Sequence, residues 1–289
     1  MVDLAIEPLH EEFGARVRGL DLRGALDADE IAALHGAIDE HSFLVFPDQH
    51  LDDRAQIALT RSLGEPEANH VALGQRGEVI YLGTIGNVAD DGSVRGNTDR
   101  HTRFQTGNNM WHSDSSFREV PSYVSIMSVH EVPDEGGETL FVSARSAFER
   151  LPSAERERLL PLQAIHDYVF SRSKVGPDAV TPSHAESLPP VKQRLVRTNP
   201  GNGRRNVYIG SHAREIVGWN EADSRTLLDG LLAETTGETH VVSHDWQPGE
   251  LVIWDNRCLL HRGVGYDADR YRRRMRQSRV KGRCNTLEE

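Results

Sequence analysis

The chain predicts a mainly β fold with flanking helices, arranged as a double-stranded β-helix or jelly roll. Three observations carry this. Short apolar runs that read as strands are scattered along the chain, as in SFLVF at 42–46, ELVIWD at 250–255 and RRMRQSRV at 273–280, so their pairings are non-local. The helical segments between them are short and amphipathic, which suits packing on the outside of a sheet. No internal repeat or low-complexity stretch interrupts the pattern.

Taken in order, Asp27-Ala-Asp-Glu30 reads as a capping box that opens a helix to about Glu40, and SFLVF follows as a buried strand. Asp52 caps a second helix that Gly64 ends. From Glu65 to about Asn109 the chain is rich in Gly, Asn, Asp and Arg; only VIYLGTI has strand character, and 84–109 reads as a long loop. A loop of that length running into a motif is expected to be a lid. Helices are expected over Ala144 to Arg150 and from Ser153 to Leu160, and a loop-rich insertion over about 171–194. Asn220 with Asp223 starts a helix to about Glu234, after which THVVSHDW, ELVIWD and RRMRQSRV read as strands.

At 289 residues a single domain over 1–289 with one large core is expected. The net charge of −11 and a pI near 5.7 argue against a nucleic-acid footprint. Five Arg crowd 270–276, yet a strand sends alternate residues to opposite faces, placing Arg273 and Gln277 on one and Arg272, Arg274 and Arg276 on the other. The longest apolar runs are far too short to span a bilayer, and no secretory leader is seen, so no membrane partner is expected. Only Cys258 and Cys284 are present, which fits a reducing cytoplasm; Cys258 reads as a small core residue.

Chemistry concentrates in WHSDSSF, where His112 and Asp114 stand two apart, and in WDNRCLLHRG, which carries His261. On an extended strand, residues i and i+2 share a side and can grip one ion. With 14 His in the chain the tripeptide alone is a weak signal. Two imidazoles and one carboxylate are nevertheless the ligand set of a non-haem iron(II) site, which leaves positions open for a co-substrate and O2. Thr139 in EGGETLFVS and the Arg-rich strand add a hydroxyl and a cation, the groups that the distal carboxylate of 2-oxoglutarate needs.

With these segments the chain resembles the taurine and phenoxyalkanoate dioxygenase (TauD/TfdA) family of Fe(II)/2-oxoglutarate enzymes. The resemblance runs nearly the full length, through IEPLHEEFGARVRGLDL, HSFLVFPDQHL, SLGEPE, WHSDSSF, VPDEGGETLF and PGELVIWDNRCLLHR, in the family's order and spacing. GNNMWHSDSSF, DYVFSRSKVG and WDNRCLLHR look closest to the aryloxypropionate dioxygenases. The resemblance implies the same cupin-like jelly roll, a homo-oligomer (dimer or tetramer), and His112, Asp114 and His261 as metal ligands and catalytic centre. It also implies hydroxylation of a small organic acid, coupled to decarboxylation of 2-oxoglutarate to succinate and CO2. Family halogenases lack the carboxylate that Asp114 supplies, so hydroxylation is favoured. Next to an ether oxygen this gives a hemiacetal and hence ether cleavage.

Counting from His261 favours Arg272 for 2-oxoglutarate, whereas aligning Met275 with the family methionine favours Arg273; Arg273 is chosen. That leaves neutral Gln277 where several relatives have a basic group, so an anionic substrate needs another partner, such as His212 or an Arg of the 94–103 loop. His212 in YIGSHAREI reads as a substrate contact or a structural histidine, and Asn108 as a substrate contact or a loop cap. His101, His166, His184, His240 and His244 read as surface or hydrogen-bonded structural residues. Three rivals remain: a hydroxylase or desaturase of a natural-product or amino-acid-derived intermediate, a zinc hydrolase, which would leave Thr139 and the Arg unexplained, and a non-catalytic binding module, which has no need of a complete ligand set.

Overall fold

The computed structural model describes residues 4–69, 79–176, 179–180 and 182–289. The protein is mainly β with flanking helices. Its largest sheet has seven strands in the order Ala5–Pro8, Ala15–Arg18, Phe43–Phe46, Leu251–Asp255, Ser122–Glu131, Arg274–Lys281, Gly83–Gly86. A three-stranded sheet, Val242–His244, Thr139–Ser143, Leu259–Gly263, faces it across the apolar cluster of Phe43, Val45, Phe141, Val252, Trp254 and Met275.

Strand alternation explains the layering. Phe43 and Val45 enter the cluster between the sheets, while Leu44 and Phe46 join Leu34, Ile38, Leu59 and Leu63 from the helices Ala28–His41 and Asp53–Leu63 on the outer face. Both faces of this strand are therefore dry, which is why SFLVF reads as a continuous apolar run. The second sheet repeats the pattern: Leu260 packs outward against Phe148, Leu228 and Leu231. The capping box at Asp27 is formed, with Glu30 N donating to its side chain at 2.9 Å and Glu30 accepting from Asp27 N at 2.8 Å. Asp52 and Asn220 cap their helices as expected.

Several expectations are corrected. The strand expected at VIYLGTI starts later, as Gly83–Gly86. The 84–109 segment is not a plain loop: Asp99 caps a helix Arg100–Gln105, followed by a 3-10 turn Thr106–Asn109. The Gly and Asn content on either side conceals that cap in the sequence. The 171–194 segment likewise carries the end of helix Tyr168–Ser173, helix Pro182–Ser187 and strand Val191–Arg194. Its residues 177, 178 and 181, and the His184 side chain, lie outside the described residues. No element is expected over 122–131, yet Ser122–Glu131 is the longest described strand. Its serines look like loop residues, but Ser125 and Ser128 are buried and donate inside the fold to Asp114 and Gln56. Among the described residues no helix is long and apolar enough to cross a membrane.

Candidate metal centre and its two chambers

The two sheets and the loop that precedes Ser122–Glu131 converge on His112, Asp114 and His261, whose ligand atoms all lie within 4.8 Å of one another. WHSDSSF is not a strand, contrary to the expectation from its spacing: His112 forms a single antiparallel bridge with His261, and the chain then turns. The bridge does more than a strand would. His112 N donates to His261 O at 3.0 Å and His261 N to His112 O at 2.8 Å, so residues 149 apart in sequence are a directly opposed pair, with ring centroids 4.2 Å apart.

Asp114 is aimed by the turn instead. Asn256, from the WDN motif, accepts at its carbonyl from the Ser113 hydroxyl and at its side chain from Asp114 N at 3.3 Å, and donates to Ser125 Oγ at 2.9 Å. Ser115 takes the left-handed conformation, φ 56°, that closes the turn. Asp114 Oδ2 accepts from Ser125 Oγ at 2.6 Å and Gln277 Nε2 at 2.9 Å. Oδ1, 3.6 Å from His112 Nε2, is left for a ligand.

Protonation states suit a metal. The Met110 carbonyl, 2.7 Å from His112 Nδ1, accepts only if that nitrogen carries the proton, which leaves Nε2 with its lone pair. Burial, with His112 beside it, pushes His261 down to about 3, so its ring is neutral at physiological pH. Burial alone would raise Asp114, but the neighbouring imidazoles and Arg279 hold its carboxyl well below the usual range. The set offers two imidazole nitrogens and one carboxylate oxygen, as a divalent ion of borderline hardness prefers.

Two cavities meet at His112 and Asp114. The first, about 170 Å³, is lined by Thr139, Met127, Trp254, Tyr266 and Arg273. Arg273 is buried and its Nε has no hydrogen-bond partner; Nη2 reaches only the Gly137 carbonyl at 3.3 Å. Gly136 and Gly137, φ 73° and 81°, wrap that carbonyl onto the guanidinium, a path that side chains rarely adopt. No carboxylate pairs with Arg273 among the described residues, and burial lowers it to about 10. Thr139 Oγ1 already accepts from Trp246 Nε1 at 3.0 Å, so its proton is free to be donated into the cavity. Arg272 lies outside, about half exposed and paired with Glu131 at 2.6 Å. A dicarboxylate fits this chamber's chemistry.

The second cavity, about 280 Å³, shares Ile85, His112 and Asp114 with the first and is lined further by Phe104, Phe117, Arg172 and His212. His212 is buried, with its ring 4.7 Å from Phe117 and 6.2 Å from His112. Asn108 lines both cavities and accepts from Arg172 Nη2 at 3.0 Å. Every predicted site residue thus borders one cavity or the other. Gln277, weighed in the sequence for its lost charge, turns out to be a donor to Asp114. Ser125, Asn256 and Arg172 were not singled out; only Asn256 had a signal, its place in WDNR.

A family model, taurine catabolism dioxygenase TauD, TfdA family, matches residues 5–278. The alpha-ketoglutarate-dependent 2,4-dichlorophenoxyacetate dioxygenase of Cupriavidus pinatubonensis is 38% identical over 92% of this chain and 94% of that protein. The (S)-phenoxypropionate/alpha-ketoglutarate-dioxygenase of Sphingobium herbicidovorans is 36% identical over 96% and 94%. The solved structure of AAD-2 in complex with Mn(II) and N-oxalylglycine is 33% identical, covers 100% of both chains and superposes with a TM-score of 0.89. The chain belongs to the TauD/TfdA dioxygenase family.

Proposed function

We propose that this 2-oxoglutarate-dependent dioxygenase hydroxylates a small aryloxyalkanoate-like acid at the carbon next to its ether oxygen, while 2-oxoglutarate is decarboxylated to succinate and CO2. The observation that carries this reading is the pair of chambers meeting at His112 and Asp114, one ending in an uncompensated guanidinium and the other apolar enough for an aromatic ring. Relatives at 36–38% identity act on 2,4-dichlorophenoxyacetate and (S)-phenoxypropionate, which fits the second chamber.

His112 Nε2, Asp114 Oδ1 and His261 Nε2 would hold the metal. Iron(II), with 2-oxoglutarate and O2, supplies the oxidant when bound. Arg273 receives the distal carboxylate of 2-oxoglutarate and Thr139 donates its hydroxyl to it. Ser125 and Gln277 keep Asp114 on one oxygen, which preserves an open position beside it. Asn108 and His212 face the substrate, and the 84–109 segment acts as a lid that excludes water. Hydroxylation next to the ether oxygen yields a hemiacetal; its C–O bond breaks, the phenol leaves with the proton, and a 2-oxo acid remains. We read the facing sheets as the double-stranded β-helix of a single domain over 1–289, in a cytoplasmic dimer or tetramer.

The test compares 2-oxoglutarate turnover with 2-phenoxypropionate and with its methyl ester. The acid should stimulate succinate release and the ester should not. Equal stimulation would overturn the anionic substrate, and no stimulation by any aryloxy acid would overturn the substrate class.

A further inference from the structure

We infer that Arg172 holds the anionic end of the substrate. This rests on the reading of the second chamber as the substrate site and supplies the cation that neutral Gln277 does not. Four arginines line that cavity: Arg95, from the 84–109 segment, is partly exposed to solvent, and the other three are buried. Arg276 is neutralised by Asp53 at 2.8 Å and Asp90 at 2.9 Å, and Arg279 by Glu67 at 3.1 Å. Arg172 has no carboxylate partner among the described residues, although it is only 7% exposed.

What surrounds Arg172 is a cradle without a counter-ion. Nη2 donates to the neutral Asn108 Oδ1 at 3.0 Å, Nη1 reaches the Phe104 carbonyl at 3.4 Å, and Nε is buried with no partner. The guanidinium lies 4.9 Å from the Phe104 ring and 5.4 Å from the Tyr168 ring. Gly107 is required for the approach, since a Cβ there would fall 1.8 Å from Nη1. Neutral dipoles and ring faces orient a buried cation and offset part of its desolvation; a carboxylate in good geometry offsets more of it. The same logic assigns Arg273 to 2-oxoglutarate in the first chamber. Arg172 therefore offers its guanidinium charge to a carboxylate, with Phe104 and Phe117 lining the same cavity for the ring that the acid carries.

His212 borders the same cavity, but an imidazole would form an ion pair with an anion only when protonated, so affinity would weaken as pH rises through its pKa. An Arg partner holds the anion throughout the physiological range.

The experiment is an anaerobic titration of the protein loaded with iron(II) and 2-oxoglutarate, using 2-phenoxypropionate and 2-phenoxypropionamide. The wild type should prefer the acid. Arg172→Gln should lose at least about tenfold in acid affinity and change little for the amide, with Arg172→Lys in between and 2-oxoglutarate affinity unchanged in both. If Arg172→Gln keeps the preference for the acid, or weakens acid and amide equally, the assignment is overturned. A wild type with no preference for the acid overturns it as well. Selective acid binding that depends on Arg172, without ether cleavage on admitting O2, would sustain the anion site and overturn the proposed reaction.

Discussion

Arg273 and Arg172 are both buried cations without a carboxylate partner among the described residues, each lining one of the two cavities that share His112 and Asp114, but they are held by different kinds of structure. Arg273 sits at the start of strand Arg274–Lys281, with its backbone N donating to Asn87 Oδ1 at 2.8 Å and its Nη2 clamped by the Gly137 carbonyl. Arg172 rides on the six-residue helix Tyr168–Ser173 and is held by Asn108 and Phe104 from the 84–109 segment. The Arg273 cation is thus tied to the end of a sheet strand, while the Arg172 cation depends on a short helix meeting the 84–109 segment. On the proposed assignment, a constant co-substrate is matched to the sheet-borne side and a varying substrate to the side that short helices can reshape.

Changes at the point where the two chambers meet should have the largest effect, because both depend on it. His112→Ala, Asp114→Ala and His261→Ala should each lower turnover by roughly a thousandfold or more while leaving the fold intact. Near-normal iron affinity and activity in any of them would break the assignment. Arg273→Ala should raise the 2-oxoglutarate requirement at least about tenfold, since a guanidinium paired with a carboxylate in a partly dry pocket is worth on the order of 2–5 kcal/mol. Arg272→Ala, already satisfied outside by Glu131, should do much less; the reverse ranking would mean that the register counted from His261 is the correct one.

Smaller effects are expected from Gln277→Leu, which removes one of two donors to Asp114 Oδ2. Iron affinity should fall by about tenfold, the low end for an outer partner of a ligand, and direct metal titration reads it. His166 lines neither chamber; it is stacked on Tyr208 and held by burial down at about 3. The unfolded chain takes up its proton near the ordinary value of 6.5, so stability is complete above that pH and is lost as pH falls toward 3. Between pH 6.5 and 5 this costs on the order of 2 kcal/mol, and His166→Phe should flatten that part of the urea-denaturation profile. Smallest of all, Asp27→Ala should cost about 1 kcal/mol by opening the capping box, with turnover unchanged.

The same contrast divides what the sequence made legible. His112 and His261 could be picked out because their motifs stand in the family's order and spacing, and the shared face of Arg273 and Gln277 because the strand period bears on it directly. The opposed pairing of His112 with His261 could not, because nothing local specifies a bridge between residues 149 apart. The Ser122–Glu131 strand was hidden by serines whose partners lie on other elements, and Arg172 by an ordinary helix whose special feature is that it pairs with no acid among the described residues. A missing counter-ion is a property of three-dimensional neighbours, so it leaves no mark in the chain.

Titrating 2-oxoglutarate and 2-phenoxypropionate separately into iron-loaded Arg273→Ala and Arg172→Gln puts both sides of the comparison into one measurement. The division of labour predicts a crossed result: the first variant loses 2-oxoglutarate affinity and keeps the acid in the presence of saturating 2-oxoglutarate, and the second does the opposite. Parallel losses of both ligands in either variant, or losses with the pairing exchanged, would contradict it.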